Sequence, residues 1–384
     1  MDSDTRRILA PDLARGFMLL LIALAHAPLY LSTAARGPDG RPTAVSAADQ
    51  VVSVVEELFV HSRAYPLFAV LFGYGLVWSL ERRRREGASD AVARSTVRRR
   101  GWWLLLFGLV MALVVTPVEI LGAYGLVAVL VAGLLVRSDR ALNRAIWILT
   151  PVMAALVVVG TVTFIAPTGA GASEPWSTLG YGLGELITRV VLWIVVVLSN
   201  VAFYPILLVV LIGAWAARRR ILEDVPRHRA LLRRTAVGGI TVAVAGSLPQ
   251  VLLGIGALPA DAATWTLSLQ VLTGVFGGLG YAAAFALFAH SVRSRTAEIR
   301  PLVATGRRSL TSYIVMEAAL VVLMSSVFLG LGERTGVAGA AAVAVAAWAA
   351  AVASATLLDR AGRPGPADQL LRRLVRGRVR VAVR

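Results

Sequence analysis

The sequence contains no cysteine and no lysine, and only 4 histidines among its 384 residues. Without cysteine, structural disulfides, thiol nucleophiles and cysteine-ligated metal sites are excluded. Four histidines supply few ligands for a histidine-rich metal site, and no metal site is predicted. The 39 basic residues, all of them arginine, outnumber the 22 acidic residues and give a formal net charge of +17.

Apolar residues dominate the composition of the chain. The chain is 57% hydrophobic and 16% charged, with a mean hydropathy of +0.73, whereas a soluble domain is about 45–50% apolar and about 25% charged. Apolar runs of about 18 or more residues are typical of membrane-spanning helices, because the hydrocarbon core is about 30 Å thick. The composition therefore predicts an all-α, polytopic transmembrane helical bundle.

Ten apolar runs are predicted to span the membrane. They are residues 15–35, 61–80, 101–117, 120–136, 144–165, 199–217, 235–257, 264–290, 308–330 and 336–357. Nearly all arginines lie in alternate gaps, beginning with Arg6 and Arg7 before the first run. The positive-inside rule then predicts that both termini are cytoplasmic. Since the arginines are scattered over several short loops instead of one folded face, nucleic acid is not an expected partner.

Three segments of the chain need separate interpretation. Residues 181–217 are too long for one span and short for two, so 183–197 is predicted to be an interfacial or tilted helix that leads into the sixth span. Glu185 and Arg189 would then lie near the outer headgroups.

Residues 1–35 have features of a cleaved signal peptide, but the charges beside the apolar core and the nine later spans favour a retained span. The basic, amphipathic tail, 359–384, is expected on the inner leaflet, after a bundle over 1–358.

Ionisable residues inside spans are functional candidates because burying them in hydrocarbon is costly. His26 lies eleven residues beyond Arg15, about 16 Å along a helix, which places it near the middle of the membrane. An imidazole there can act as a general base, or it can simply hold two helices together by a hydrogen bond. Other polar residues in or near the spans are Glu56, Glu57, His61, Arg63, Glu119, Asn200, Gln250 and Glu317.

The polar residues of the first and ninth spans suggest pairings. Asp12 and Arg15 are three residues apart, so they share a helix face and can form an ion pair; alternatively, Arg15 holds a phosphate or carboxylate from the cytoplasm. Glu317, inside the ninth span, requires either a proton or a partner. His26, Arg63 and Arg15 are the candidates for that partner.

Several motifs resemble known membrane families. PDLARGFMLLLIALAHA (11–27) resembles the D-x-x-R-G entry to the first span of a superfamily of bacterial and lysosomal transmembrane acyltransferases. HSRAYPLFAVLFGYG (61–75) resembles the signature of the YeiB-like proteins, a domain of unknown function. ATGRRSLTSYI (304–314) and GPADQLLRRL (365–374) resemble the elements that close YeiB-like chains. The resemblance implies an acyltransferase-like part over about 1–165 and a YeiB-like part over about 199–358.

The acyltransferase resemblance implies transfer of an acyl group from cytoplasmic acyl-CoA, as a co-substrate and not a bound cofactor, to an envelope sugar or similar acceptor. His26 falls where soluble-sugar acyltransferases carry histidine and many YeiB-like relatives carry asparagine. Ser62 replaces an aspartate of the heparan-acetylating branch, and residues 31–50 lack that branch's loop histidine. The apparatus of that branch is therefore not reproduced.

The resulting hypothesis is an O- or N-acyltransferase in a bacterial plasma membrane. His26 would be the general base, and Glu317 or Asp12 would orient it. Arg15, Arg307 and Arg308 would bind the diphosphate of acyl-CoA, while His61 and Arg63 would bind the acceptor. Two alternatives remain: a transporter or flippase for an amphipathic or anionic metabolite, and a non-catalytic partner of an envelope enzyme. The oligomeric state does not follow from the sequence.

Overall fold

A computed structural model describes residues 9–165, 178–292 and 296–376, and helices make up most of these ranges. Apart from an isolated bridge between Arg36 and Pro42, no β-structure occurs within the described ranges. The predicted positions of Arg6, Arg7 and residues 377–384 lie outside them. The helices are α1 (Leu9–His26), α2 (Ala47–Phe59), α3 (Ala64–Arg85), α4 (Asp90–Val114), α5 (Leu121–Val131), α6 (Asp139–Gly160), α7 (Leu183–Phe203), α8 (Ile206–Arg218), α9 (Val225–Gly254), α10 (Ala263–Ser291), α11 (Thr296–Arg307), α12 (Ser309–Met324), α13 (Val337–Arg360) and α14 (Pro366–Arg376).

The helices have the length and composition of a multi-pass membrane protein. In the described part of the chain, seven helical segments are long and apolar enough to cross a membrane. Helices α5, α8 and α12 are also apolar but shorter, with 11, 13 and 16 residues. The predicted all-α membrane bundle is confirmed, whereas the count of ten spans and the side of the termini stay predictions.

Helix α1 lies at the centre of the bundle and α7 at its edge. In the apolar segment that contains α1, 61% of residues are buried, against 11% in α7. Helix α1 contacts α3, α10, α11, α12 and α13. Close backbone approach tightens the packing around it: Gly16 of α1 lies against the carbonyl of Leu302 in α11, where a side chain would overlap that carbonyl. Polar groups on α1 are thus held among several helices.

The break within residues 181–217 lies further along the chain than the sequence pattern predicts. Helix α7 runs unbroken through residue 197 and through Asn200, which we expected to open the next span, and it ends at Phe203. Tyr204 is extended because the residue before a proline is pushed out of the helical region, and Pro205 is the N-cap residue of α8. The helix boundary is therefore set by Pro205.

Arg189, which was expected near the outer headgroups, is buried against the C-terminal end of α4. Its side chain is 3% exposed and donates to the carbonyls of Ala112 and Val115, at 3.2 and 3.3 Å. It also donates to the carbonyls of Leu179 and Gly180. A cation that bonds the last carbonyls of a helix complements the helix dipole. Arg189 thus caps the C-terminus of α4 and fixes α7 beside it.

Candidate functional site

One deep pocket opens at the arginine-rich end of the bundle and extends between its helices. Its volume is about 730 Å³, and residues of α1, α3, α4, α12 and α14 line it. This volume falls in the range of about 300–1,000 Å³ that is typical of small-molecule sites. The positive-inside rule predicts that its mouth faces the cytoplasm.

The mouth of the pocket is positively charged and its interior is apolar. Seven arginines and three acidic residues line the pocket: Arg15, Arg82, Arg83, Arg100, Arg307, Arg372, Arg376, Asp12, Glu86 and Asp368. The inner walls are formed by residues such as Ile22, Phe68, Leu104, Ile120, Leu121 and Tyr313. The guanidinium of Arg100 lies 5.6 Å from the ring centroid of Phe72, and its buried Nε has no hydrogen-bond partner. Such a lining suits an amphipathic anion.

The separate sequence motifs meet at this mouth. Asp12 and Arg15 from the first motif face Arg307 from the third, and Asp12 lies 3.8 Å from Arg15 and 3.6 Å from Arg307. Gly75 from the second motif and Asp368 from the last also line the pocket. Segments more than 350 residues apart in sequence therefore build one site.

Two motif glycines allow the approach. A Cβ on Gly75 would lie 2.9 Å from Nη2 of Arg15, which donates to the carbonyl of Leu71 at 3.1 Å. A Cβ on Gly306 would overlap the backbone carbonyl of Asp12. Gly75 therefore leaves room for the arginine side chain, whereas Gly306 brings the backbones of α11 and α1 together.

Helix α14 is fastened to the start of α12 by the motif residue Asp368. Its carboxylate accepts hydrogen bonds from the amides of Leu310 and Thr311, at 3.3 and 3.0 Å, and from the Thr311 hydroxyl at 2.7 Å. The first amides of a helix lack partners within the helix, so Asp368 caps α12 from another segment. This contact holds α14 over the mouth of the pocket.

The structure pairs His26 with Glu317. Nδ1 of His26 lies 2.7 Å from Oε1 of Glu317, and the Glu317 side chain is fully buried while that of His26 is 13% exposed. Neither residue lines the pocket. The pocket ends at Ile22 and Tyr313, which lie one helical turn before His26 and Glu317 respectively. The first and ninth predicted spans therefore meet, one turn beyond the pocket.

Two further residues near this inner end were not assigned a role from sequence. Tyr313 lines the pocket, and its hydroxyl accepts a hydrogen bond from the amide of Ile120 at 3.4 Å. Glu119 is 1% exposed and accepts hydrogen bonds from the amide of Gly122 and from Nε1 of Trp193, at 2.9 and 2.7 Å. The motif ATGRRSLTSYI (304–314) contains Tyr313, so membership in that motif was the available signal for this residue.

Two expected roles do not fit the geometry. Asp12 does not orient His26, because it lies fourteen residues earlier, about 21 Å along α1, and pairs with arginines instead. Arg308 does not face the pocket. Its guanidinium lies 3.1 Å from Asp359 and donates to the carbonyl of Arg363. Of the three arginines predicted to bind the donor, only Arg15 and Arg307 line the pocket.

Arg63 and His61 lie apart from the His26–Glu317 pair. Arg63 is 1% exposed and donates to the carbonyls of His61 and Ala243 and, at 2.7 Å, to the hydroxyl of Ser247. These bonds tie the start of α3 to α9. Arg63 is therefore not the partner of Glu317.

A second polar cluster lies beside Arg63, under the loop formed by residues 31–46. Arg41 pairs with Glu57 and donates to Gln270 at 3.0 Å. Gln270 in turn donates to Glu57, and Gln250 donates to Asp39 at 2.9 Å. We call Asp39, Arg41, Glu57, Gln250 and Gln270 the outer network, because the predicted topology places it on the extracytoplasmic side.

Comparison with known proteins agrees with the closing motifs. Residues 216–378 match the family described as protein of unknown function (DUF418), and this range includes both 304–314 and 365–374. The chain is similar to the uncharacterized protein YxaH of Bacillus subtilis (strain 168), with 25% identity over 393 residues that cover 95% of this chain and 93% of the relative. The resemblance to YeiB-like proteins is confirmed, whereas the relation to acyltransferases stays a prediction. The protein is thus a multi-pass helical membrane protein whose residues 216–378 are similar to the DUF418 proteins of unknown function.

Proposed function

We propose that the protein is an acyltransferase of the bacterial plasma membrane, which moves an acyl group from cytoplasmic acyl-CoA to an extracytoplasmic sugar or similar acceptor. The observation that carries this proposal is the pocket itself. Its charged mouth lies at the arginine-rich end, and its apolar inner end lies one turn from a histidine–carboxylate pair.

The lining of the pocket supports acyl-CoA as the donor. Arg15 and Arg307 would bind its diphosphate, since a guanidinium matches phosphate oxygens in a bidentate geometry. The apolar walls beyond them would receive the pantetheine arm and the acyl group. The thioester would then lie at the inner end, near Ile22 and Tyr313.

The His26–Glu317 pair would supply the proton chemistry. With Glu317 accepting from Nδ1–H, the free Nε2 of His26 takes the proton from an acceptor hydroxyl or amine. The acceptor atom attacks the carbonyl carbon of the thioester and forms the new ester or amide bond. The C–S bond breaks, and the departing thiolate of coenzyme A takes the proton from His26. No covalent intermediate is required, although an acyl-histidine is compatible with the same geometry.

The alternative is a transporter or flippase of an anionic or amphipathic metabolite, and the outer network favours it. An inward-open transporter would present a pocket that opens at one end of the bundle and a partly buried ion-pair network at the other end. Opening would require Arg41 and Glu57 to separate. An acyltransferase requires no such separation.

Acyl-CoA binding to purified protein in detergent tests the proposal. We expect specific binding by calorimetry, weakened about tenfold or more by Arg15→Gln. Arg233→Gln, which removes an exposed arginine of α9 outside the pocket, is the matched control and should bind as the wild type does. Turnover should disappear in His26→Ala while donor binding remains.

Two results would overturn the acyltransferase. One is the absence of binding to acetyl-, succinyl- and long-chain acyl-CoA alike. The other is normal turnover by His26→Ala. Metabolite flux in sealed vesicles, abolished by a disulfide between cysteines introduced at Arg41 and Glu57, would establish the transporter instead.

A further inference from the structure

A second groove lies on the outside of the bundle, at the arginine-rich end and away from the pocket. It is about 720 Å³ in volume and lies between α4, α6 and the residues that join α5 to α6. Four of its ten lining residues are arginines, none is acidic, and the others are apolar or small. We call Arg94, Arg137, Arg140 and Arg144 the groove arginines.

The groove arginines have no carboxylate partner among the described residues, although acidic residues are close in sequence. Asp90, one turn before Arg94, pairs with Arg84 at 2.7 Å. Asp139, next to Arg140, pairs with Arg218 at 2.6 Å. The two nearest acids are thus neutralised by other arginines, and the positive charge of the groove stays uncompensated within the protein.

The arrangement on α6 brings like charges together. Arg140 and Arg144 are four residues apart, so they are neighbours on one helix face. Two like charges at this spacing repel each other and destabilise a helix. An anion that contacts both arginines would remove this repulsion.

The same face of α6 becomes apolar and exposed beyond the arginines. Continuing in steps of four from Arg140 and Arg144, the next residues are Ile148 and Val152, which are 54% and 44% exposed. Trp147 beside them is 78% exposed. Exposed tryptophans are enriched where a helix passes from headgroups into hydrocarbon. The face therefore offers a positive site followed by an apolar track along α6.

We propose that this groove binds an anionic phospholipid of the adjacent leaflet, with the phosphate among the groove arginines and an acyl chain along Ile148 and Val152. A zwitterionic phospholipid carries its own cation beside the phosphate and therefore compensates less of the groove's positive charge. A soluble phosphate would leave the apolar track without a ligand. The inference does not depend on the reaction that the pocket supports.

Delipidated protein in neutral detergent tests this inference through thermal stability. Phosphatidylglycerol should raise the melting temperature of the wild type, because a ligand that binds only the folded state stabilises it. Phosphatidylcholine and glycerol phosphate should raise it much less. The groove variant, with Gln at all four groove arginines, should lose most of the shift and bind phosphatidylglycerol about tenfold more weakly or worse.

A matched variant distinguishes a built site from diffuse attraction to an anionic membrane. Arg227, Arg229, Arg233 and Arg234 are exposed on α9, and replacing all four with Gln removes the same charge. This variant should respond to phosphatidylglycerol as the wild type does. If the fourfold groove variant cannot be purified, two double variants make the same comparison. The groove double variant is Arg140→Gln with Arg144→Gln, and its α9 control is Arg233→Gln with Arg234→Gln.

Three results would each overturn the lipid site. The first is an equal loss of the shift in the groove and α9 variants, which would mean diffuse attraction. The second is an undiminished shift in the groove variant. The third is equal stabilisation by glycerol phosphate and phosphatidylglycerol, which would mean that a soluble anion suffices.

Discussion

Nδ1 of His26 and Oε1 of Glu317 are 2.7 Å apart, although 291 residues separate them in sequence. The contact joins the last residue of α1 to the middle of α12. Because Glu317 is fully buried and His26 is partly exposed, the carboxylate fixes a ring whose other nitrogen can reach a ligand. The same bond therefore serves the packing of two helices and, in our proposal, the orientation of a base.

The structural contribution of this pair can be measured by a double-mutant cycle. His26→Ala and Glu317→Ala should each lower the melting temperature in detergent, and the double variant should lose less than the sum. We expect a coupling of about 0.5–3 kcal/mol, as for residues in direct hydrogen-bonded contact. Additive effects would show that the contact contributes nothing to stability.

The chemical contribution of Glu317 is separable from its packing. Glu317→Gln keeps an oxygen that accepts from His26 but removes the charge that would stabilise the imidazolium in the proposed reaction. We expect a melting temperature near that of the wild type and a turnover lower by about 10²-fold or more. Wild-type turnover in a variant that remains folded would assign Glu317 a purely structural role.

Replacing two adjacent arginines should change two different properties, acyl-CoA binding in one variant and the melting temperature in the other. Arg307 faces the pocket with a side chain that is 39% exposed, whereas that of Arg308 is 10% exposed and paired with Asp359. Arg307→Gln should weaken acyl-CoA binding and leave the melting temperature unchanged. Arg308→Gln should lower the melting temperature and leave binding unchanged. Calorimetry and thermal unfolding on both variants check this, and the reverse pattern would contradict the pocket as the donor site.

Gly75 should be required for binding and not for folding. Gly75→Ala places a methyl group against the flexible end of Arg15, so the guanidinium must move away from its position at the mouth. We expect weaker acyl-CoA binding with an unchanged melting temperature. Gly238→Ala is the control, because a methyl group there, on α9, would meet open space. Equal binding by both variants would show that the position of Arg15 is unimportant.

The sequence predicted the class of fold and the candidates for some side-chain pairs on physical grounds. Apolar runs identified the helices because a bilayer requires about 20 apolar residues for each span. Glu317 was expected to need either a proton or a partner because an isolated carboxylate in hydrocarbon is costly, and His26 was among the candidate partners. The break at Pro205 was also readable from the sequence, since the residue before a proline disfavours helix; the span boundary placed at 199 missed it.

The pocket could not be predicted from the sequence. Nothing in the spacing of 11–27, 61–75, 304–314 and 365–374 says that they meet, because contacts between distant helices depend on how each one packs. The same is true of Arg63, which was expected to bind the acceptor, and of Arg41, to which the sequence assigned no role. In the structure they are held by Glu57 and Gln270 and by backbone carbonyls.

The contact between Asp368 and Thr311 yields the last prediction, because it holds α14 over the pocket. Asp368→Ala removes the acceptor of three hydrogen bonds at the start of α12, and loss of such a cap costs about 0.5–2 kcal/mol. Helix α14 should then open more often, and trypsin should cleave at Arg372 and Arg373 faster than in the wild type. Gln369→Ala, the next position on the helix, is the matched control and should be cleaved at the wild-type rate. If α14 restricts entry to the pocket, Asp368→Ala should also speed the association of acyl-CoA. Equal cleavage of both variants would mean that other contacts hold the helix in place.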